Sequence, residues 1–108
     1  MSAASKILRK NRDGYGFWCP GCDSYHGVWV DSRETRPGAQ WTFNGDVERP
    51  TFRPSLLVTW DEPGGERRCH SYITDGQIQF LGDCTHALAG QTVPIPDWPY
   101  AEGDWSDG

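Results

Sequence analysis

Phe17-Trp18-Cys19-Pro20-Gly21-Cys22-Asp23-Ser24-Tyr25-His26 is the stretch that decides how this chain folds. Two cysteines separated by Pro-Gly form a tight turn, in which Pro20 fixes its own φ and Gly21 accepts backbone conformations that strain other residues. Both sulfurs can then point at one centre, and backbone N–H groups left free in the turn can donate to thiolates. An aromatic strand, Tyr15 to Trp18, enters the turn. His26-Gly27-Val28-Trp29-Val30 returns from it, with His26, Val28 and Val30 alternating onto one face. The pair reads as a hairpin carrying half of a metal site at its tip, as in a zinc ribbon, because structural Zn²⁺ takes four S or N ligands in a tetrahedron. A disulfide and two unrelated core cysteines are the rival readings.

The bulk of the sequence supports the metal. With 108 residues the chain is one domain, and at that size only about 65% of the unfolded surface is buried. Hydrophobic residues make up 36%, offset in part by six Trp, four Tyr and four Phe, each of which removes a large area from water. A bound ion supplies what so modest a core lacks. No apolar run approaches the ~20 residues of a membrane span and the opening residues form no secretory h-region. The expectation is therefore a cytoplasmic protein without a membrane partner, whose four cysteines bind metal rather than pair as disulfides.

Net charge is -5, unevenly spread. Lys6, Arg9, Lys10 and Arg12 cluster near the start, and no Lys or Arg follows Arg68, while Asp75, Asp83, Asp97, Glu102, Asp104 and Asp107 do. A nucleic-acid groove needs clustered cations, so nucleic acid is an unlikely partner. An acidic tail docking on a basic protein surface fits better, with Trp98, Tyr100 and Trp105 as contact anchors.

Outward from the hairpin the chain reads as all-β, a small twisted sheet or sandwich of hairpins. Residues 1–12 are a flexible basic arm, 13–93 the metal-stapled β domain and 94–108 a Pro-rich acidic tail. Gln40 to Phe43 is a short strand before the Asn44-Gly45-Asp46 turn. Arg49 to Pro54, with two prolines, is an extended connector or edge. Ser55 to Trp60, Arg68 to Thr74, Gln77 to Leu81 and Thr92 to Ile95 are strands. Asp83 is placed to cap one short helical turn, Cys84 to Ala89, with Gly90 as its stop.

Cys19 and Cys22 need two further ligands from His26, Cys69, His70, Cys84 and His86. Cys69, distant in sequence, would tie a second hairpin to the first. Cys69 and His70 are strand neighbours and face opposite ways, so both bind one ion only across a bulge. His26 can fold back from four residues beyond Cys22. The chosen set is Cys19, Cys22, His26 and Cys69, with His70 or Cys84 as alternatives for the fourth place. A closed Cys₃His centre holds structure and leaves no position for water.

A second polar constellation remains. His70, Asp83 and His86 could form a base and its orienter, with Ser71 or Ser55 as nucleophile. The plainer account has Asp83 capping a helix and the histidines satisfying local hydrogen bonds.

The runs Cys19-Pro20-Gly21-Cys22, Trp41 to Asp46, Pro50 to Val58, Cys69 to Gly76 and Ile78 to Gly90 resemble a family of short phage and prophage proteins often labelled ammonia monooxygenase. That label does not suit a small acidic chain without membrane spans. The resemblance implies a phage-encoded, zinc-binding accessory protein that acts by protein–protein binding, on a host or phage protein in the host cytoplasm. The chain is also distantly similar to a domain found beside bacterial ubiquitin-like conjugation genes and suspected of peptidase activity. There the matching histidine is His70 and the serine falls near Cys69 or Ser71. That likeness implies a small hydrolase acting on peptide bonds through His70 and Ser71, supported by Asp83 and His86.

Overall fold

The structure, a computed structural model, describes residues 2–30 and 40–99. Nine strands form two antiparallel sheets in that span. β1 (Ser2–Ala3), β2 (Arg9–Lys10), β3 (Gly14–Cys19) and β4 (Ser24–Trp29) make the first, in chain order. β5 (Thr42–Phe43), β6 (Phe52–Glu62), β7 (Gly65–Thr74), β8 (Gln77–Phe80) and β9 (Thr92–Pro94) make the second, also in chain order. Every connection is thus a meander, the short-range solution expected where turn signals separate apolar runs. No helix among the described residues is long and apolar enough to cross a membrane.

Alternation explains the core. On β3 and β4, Phe17, Cys19, His26 and Val28 turn inward; on β6, β7 and β8, Phe52, Leu56, Cys69, Ile73, Ile78 and Phe80 meet them. The two inner faces form a sandwich, bridged at one side by Trp41, whose N–H donates to Trp29 and whose indole N–H donates to the Ser55 carbonyl at 3.4 Å. Asp75-Gly76 closes the β7–β8 hairpin with both residues at positive φ, 50° and 76°, the two-residue turn that pairs with strand twist.

Three expectations are corrected. Residues 2–10 are no arm: they supply β1, β2 and the fully buried Leu8, pinned by Ser5 Oγ, which donates to the Val47 carbonyl at 2.8 Å. Residues 95–98 also pack, with Ile95 and Trp98 buried. Residues 84–90 are successive turns rather than a helix. The start of this segment and Leu81 before it bond β7 instead: Leu81 N–H donates to His70 O, and Thr85 N–H to Arg68 O, both at 2.9 Å. Segment 81–85 thereby continues the ladder along β7 where β8 ends.

Candidate active site and metal centre

The Cys-Pro-Gly-Cys turn lies over the inner face of β7. The ligand atoms of Cys19, Cys22, Cys69 and His86 all lie within 4.8 Å of one another. Cys19 Sγ and Cys69 Sγ are 3.9 Å apart, close to the ~3.8 Å edge of a tetrahedron whose metal–sulfur bonds are ~2.3 Å. All four cysteines are free thiols. Cys22 N–H points at Cys19 Sγ from 3.4 Å, the turn amide that a thiolate needs.

His86 completes the set. Its Nδ1 accepts from Leu88 N–H at 3.2 Å, and its Nε2 is buried without a protein partner. The ring stands edge-on to Phe80 at 4.6 Å and flat against Gly21. A Cβ at Gly21 would sit 2.5 Å from Nδ1 and 2.6 Å from Nε2, so the turn accepts the ring only because residue 21 is glycine. An ion taken at Nε2 would move the ring proton to Nδ1 and release the Leu88 amide. Three soft sulfurs and one imidazole suit a thiophilic divalent cation.

Electrostatics in the cluster follow from one charge shared by three sulfurs. Hydrogen bonds from Cys22 and Cys69, then from His26, hold the Cys19 thiol far below the usual range in spite of burial. Facing that thiolate, the Cys22 thiol is pushed up to about 12. Cys69 is pushed up further by the same two sulfurs and by burial. A cation would relieve this by taking all three as thiolates.

On the outer face of the same sheet lies the second constellation. Between the pairs Phe52↔Ile73 and Leu56↔Ser71, residues 53–55 stand against Tyr72 alone. This bulge, at Pro54, re-aims the residue that follows, a recurrent use of bulges. Ser55 Oγ lies 3.2 Å from His70 Nε2, and His70 Nδ1 lies 3.2 Å from Asp83 Oδ2. Serine, imidazole and carboxylate stand in the order and through the atoms that activate a serine nucleophile. Asp83 also faces Arg68 Nη1 at 3.7 Å. The main chain of His70 is gripped from below: its N–H donates to Cys84 Sγ, and that thiol donates to His70 O, each at 3.2 Å.

The face around the triad is open. Leu57, opposite His70 in register, is 55% exposed. Beyond it Arg53 lies over the Tyr72 ring, 5.4 Å from its centroid, and its Nη2 donates to Thr74 Oγ1 at 2.8 Å. A polar groove of about 470 Å³ continues from there between Arg53, Asp75, Gln79 and Thr92.

The structure therefore brings together His70 with Asp83, and Cys19 and Cys22 with Cys69, but distributes the other candidates differently. Ser71 is buried on the inner face, its hydroxyl without a protein partner, because consecutive residues of β7 face opposite ways. Ser55 takes the place beside His70. The signal for it was Pro54 ahead of the best strand, which marks a bulge. His86 joins the sulfurs instead of the carboxylate. His26 is buried beside Cys19 and edge-on to Phe17 at 5.8 Å, outside the four-atom cluster. Trp98 is buried against Trp18 and Tyr25, its indole N–H donating to Ile7 O at 3.1 Å, and so closes the fold instead of standing free as a contact anchor. Tyr100 and Trp105 lie outside the described residues.

The profile of a family described as bacterial ubiquitination-like system serine protease (BubE) matches residues 2–81. No curated protein and no solved structure matches the chain.

Proposed function

We propose, on the premise that the chain belongs to the bacterial ubiquitination-like system serine protease family, that it is a serine peptidase with Ser55 as nucleophile, His70 as base and Asp83 as orienter. The observation that carries this reading is the unbroken relay of two 3.2 Å contacts, Ser55 Oγ to His70 Nε2 and His70 Nδ1 to Asp83 Oδ2. In the proposed reaction Ser55 Oγ adds to the scissile carbonyl carbon while its proton passes to His70 Nε2. The amine leaves with that proton and an ester on Ser55 remains. A water molecule, deprotonated by the same nitrogen, then cleaves the ester and restores the serine. Asp83 keeps the imidazole proton on Nδ1, so that Nε2 is free to accept.

Leu57 and the polar groove beside Arg53 give an extended chain a place to lie across the serine. The family's description makes components of a ubiquitination-like system the substrates to try first. In this reading Cys19, Cys22, Cys69 and His86 hold a structural zinc ion. Four protein ligands close a tetrahedron, so the ion would carry load rather than activate water.

The test is covalent. A fluorophosphonate probe should modify Ser55, located by peptide mass spectrometry, at a rate that falls at least about a thousandfold in His70→Ala. No adduct, or an adduct on Ser55 indifferent to His70, would overturn the assignment.

A further inference from the structure

The metal centre and the triad are built from the same two stretches of chain. On β7, Cys69 supplies a sulfur to the cluster and the next residue is the triad base. In the segment after β8, Asp83 supplies the triad carboxylate and His86 the cluster's imidazole. Asp83 and His86 are three positions apart, a reach of at most ~10 Å. Between them Cys84 clasps the His70 main chain, and Thr85 bonds Arg68.

The main chain on either side of Asp83 is bonded to β7 through Leu81, Cys84 and Thr85, but among the described residues the carboxylate itself meets His70 and Arg68 alone. The segment is neither helix nor strand, Asp83 is 40% exposed, and its pairing with Arg68 at 3.7 Å is a surface contact, weak by nature. His86 has an uncommitted buried nitrogen and a glycine-shaped seat on the metal turn. Its ring is the anchor of the segment's far end, and the cluster is what would hold the ring.

We infer that an ion bound by Cys19, Cys22, Cys69 and His86 sets Asp83 against His70, making His86 and Cys84 positioning residues of the triad. The hydrolase proposed above is then metal-dependent although no metal touches its reacting atoms. The catalytic consequence rests on that proposal; the geometric claim, that the ion maintains the His70–Asp83 contact, does not.

The experiment uses the full chain loaded with one equivalent of Zn²⁺, with metal content measured for each sample. Two readouts are followed: the rate of Ser55 modification by a fluorophosphonate, and the downfield NMR resonance of the proton between His70 Nδ1 and Asp83. Gly21→Ala crowds the His86 ring out of its seat and keeps every ligand and triad residue. It should slow labelling by about tenfold or more and broaden or abolish the resonance, with the amide signals of β6 to β8 retained. Chelation should do the same, reversed by Zn²⁺. Labelling within about twofold of wild type and an intact resonance, in Gly21→Ala or in chelated but folded protein, would overturn the inference. If chelation unfolds the chain, Gly21→Ala and His86→Gln decide. If the wild type is never labelled, the serine-peptidase reading fails and the resonance alone decides this one.

Discussion

Cys69 and His70 are consecutive residues of β7 that serve opposite faces of one sheet. The sulfur of Cys69 lies inside, 3.9 Å from Cys19 Sγ, and the imidazole of His70 stands outside, 3.2 Å from Ser55 Oγ. The pleat alone produces this division, since neighbouring side chains on a strand point apart. A slip of one residue in the β6–β7 register would exchange them and destroy both sites at once. Two features specify the register: inward-facing Cys69, Ser71 and Ile73, and the bulge at residues 53–55.

Asp83→Asn should separate orientation from structure. The amide can keep the contact to His70 but favours the wrong tautomer, so Ser55 labelling should fall by about 10²- to 10⁴-fold. Asp83 is substantially exposed, and surface substitutions of this kind change stability by about 0.5 kcal/mol or less. Urea unfolding of the two proteins checks the second half. Equal loss of both properties would mean the carboxylate is structural.

Ser71→Ala tests the rejected nucleophile. The Ser71 side chain is 1% exposed, and its hydroxyl finds no protein partner; an unpaired buried hydroxyl is a cost to the folded state. Removal should leave labelling at Ser55 unchanged and stability unchanged or raised by up to about 1 kcal/mol. Loss of labelling in Ser71→Ala, with Ser55 intact, would reassign the nucleophile.

The all-β class, most strands and the Cys19–Cys22 half of the cluster were legible because they rest on local rules, alternation, turn chemistry and the Cys-Pro-Gly-Cys spacing, and Cys69 followed as the distant thiol able to tie a second hairpin to the first. What was not legible depends on contacts far apart in sequence. His26, four residues beyond Cys22, was the chosen fourth ligand; held opposite Phe17 on β4, it reaches Cys19 but stands outside the group whose ligand atoms lie within 4.8 Å of one another. His86, sixty-odd positions away, reaches the turn because segment 81–85 docks along β7. Asp83 looked like a helix cap, and tertiary bonding of Cys84 and Thr85 to β7 overrode the local helical preference. Ser55 stood beside Ser71 as a candidate nucleophile, and what the sequence left open was the bulge at residues 53–55 that brings it to His70. The buried Leu8 and Trp98 were missed because short polar termini carry almost no periodic signal.

Metal uptake should be coupled to protons, with a definite sign. Cys19 is held as a thiolate, while Cys22, pushed up to about 12, and Cys69, pushed up further, keep their protons. A cation that takes all three sulfurs releases about two protons. Affinity should therefore rise with pH between 6 and 8, by about a hundredfold per pH unit, measured by competition with a chelating dye at constant ionic strength. In the ion-free protein the raised Cys22 value acts the other way. Its stabilising contribution is complete below the ordinary thiol value of 9.0 and is lost as pH climbs toward about 12. A pH-independent affinity would exclude the sulfurs as ligands.

Trp98→Ala should destabilise the fold by about 3–5 kcal/mol, the usual cost of emptying a large buried site. The indole is 7% exposed, packs on Trp18 and Tyr25, and donates to Ile7 O at 3.1 Å. Thermal unfolding reads the change directly. A free contact anchor would instead be removed with almost no effect on the midpoint.

The fourth ligand can be decided by comparing two histidines, His26 buried and His86 half-buried, that both carry a buried Nε2 without a protein partner. His26 stands beside Cys19 and helps hold its thiol deprotonated, whereas His86 belongs to the group whose ligand atoms lie within 4.8 Å of one another. With Co²⁺ in place of the native ion, the sulfur-to-metal and d–d absorption bands report a tetrahedral S₃N site directly. His86→Gln should weaken metal binding by about 10- to 100-fold or more and shift the d–d bands, because one strong donor is replaced by a poor one. His26→Gln should keep the wild-type band positions and a stoichiometry of one, with at most a modest loss of affinity through Cys19. The reverse pattern, bands unmoved in His86→Gln and displaced in His26→Gln, would restore the hairpin histidine as ligand and uncouple the metal from the segment that carries Asp83.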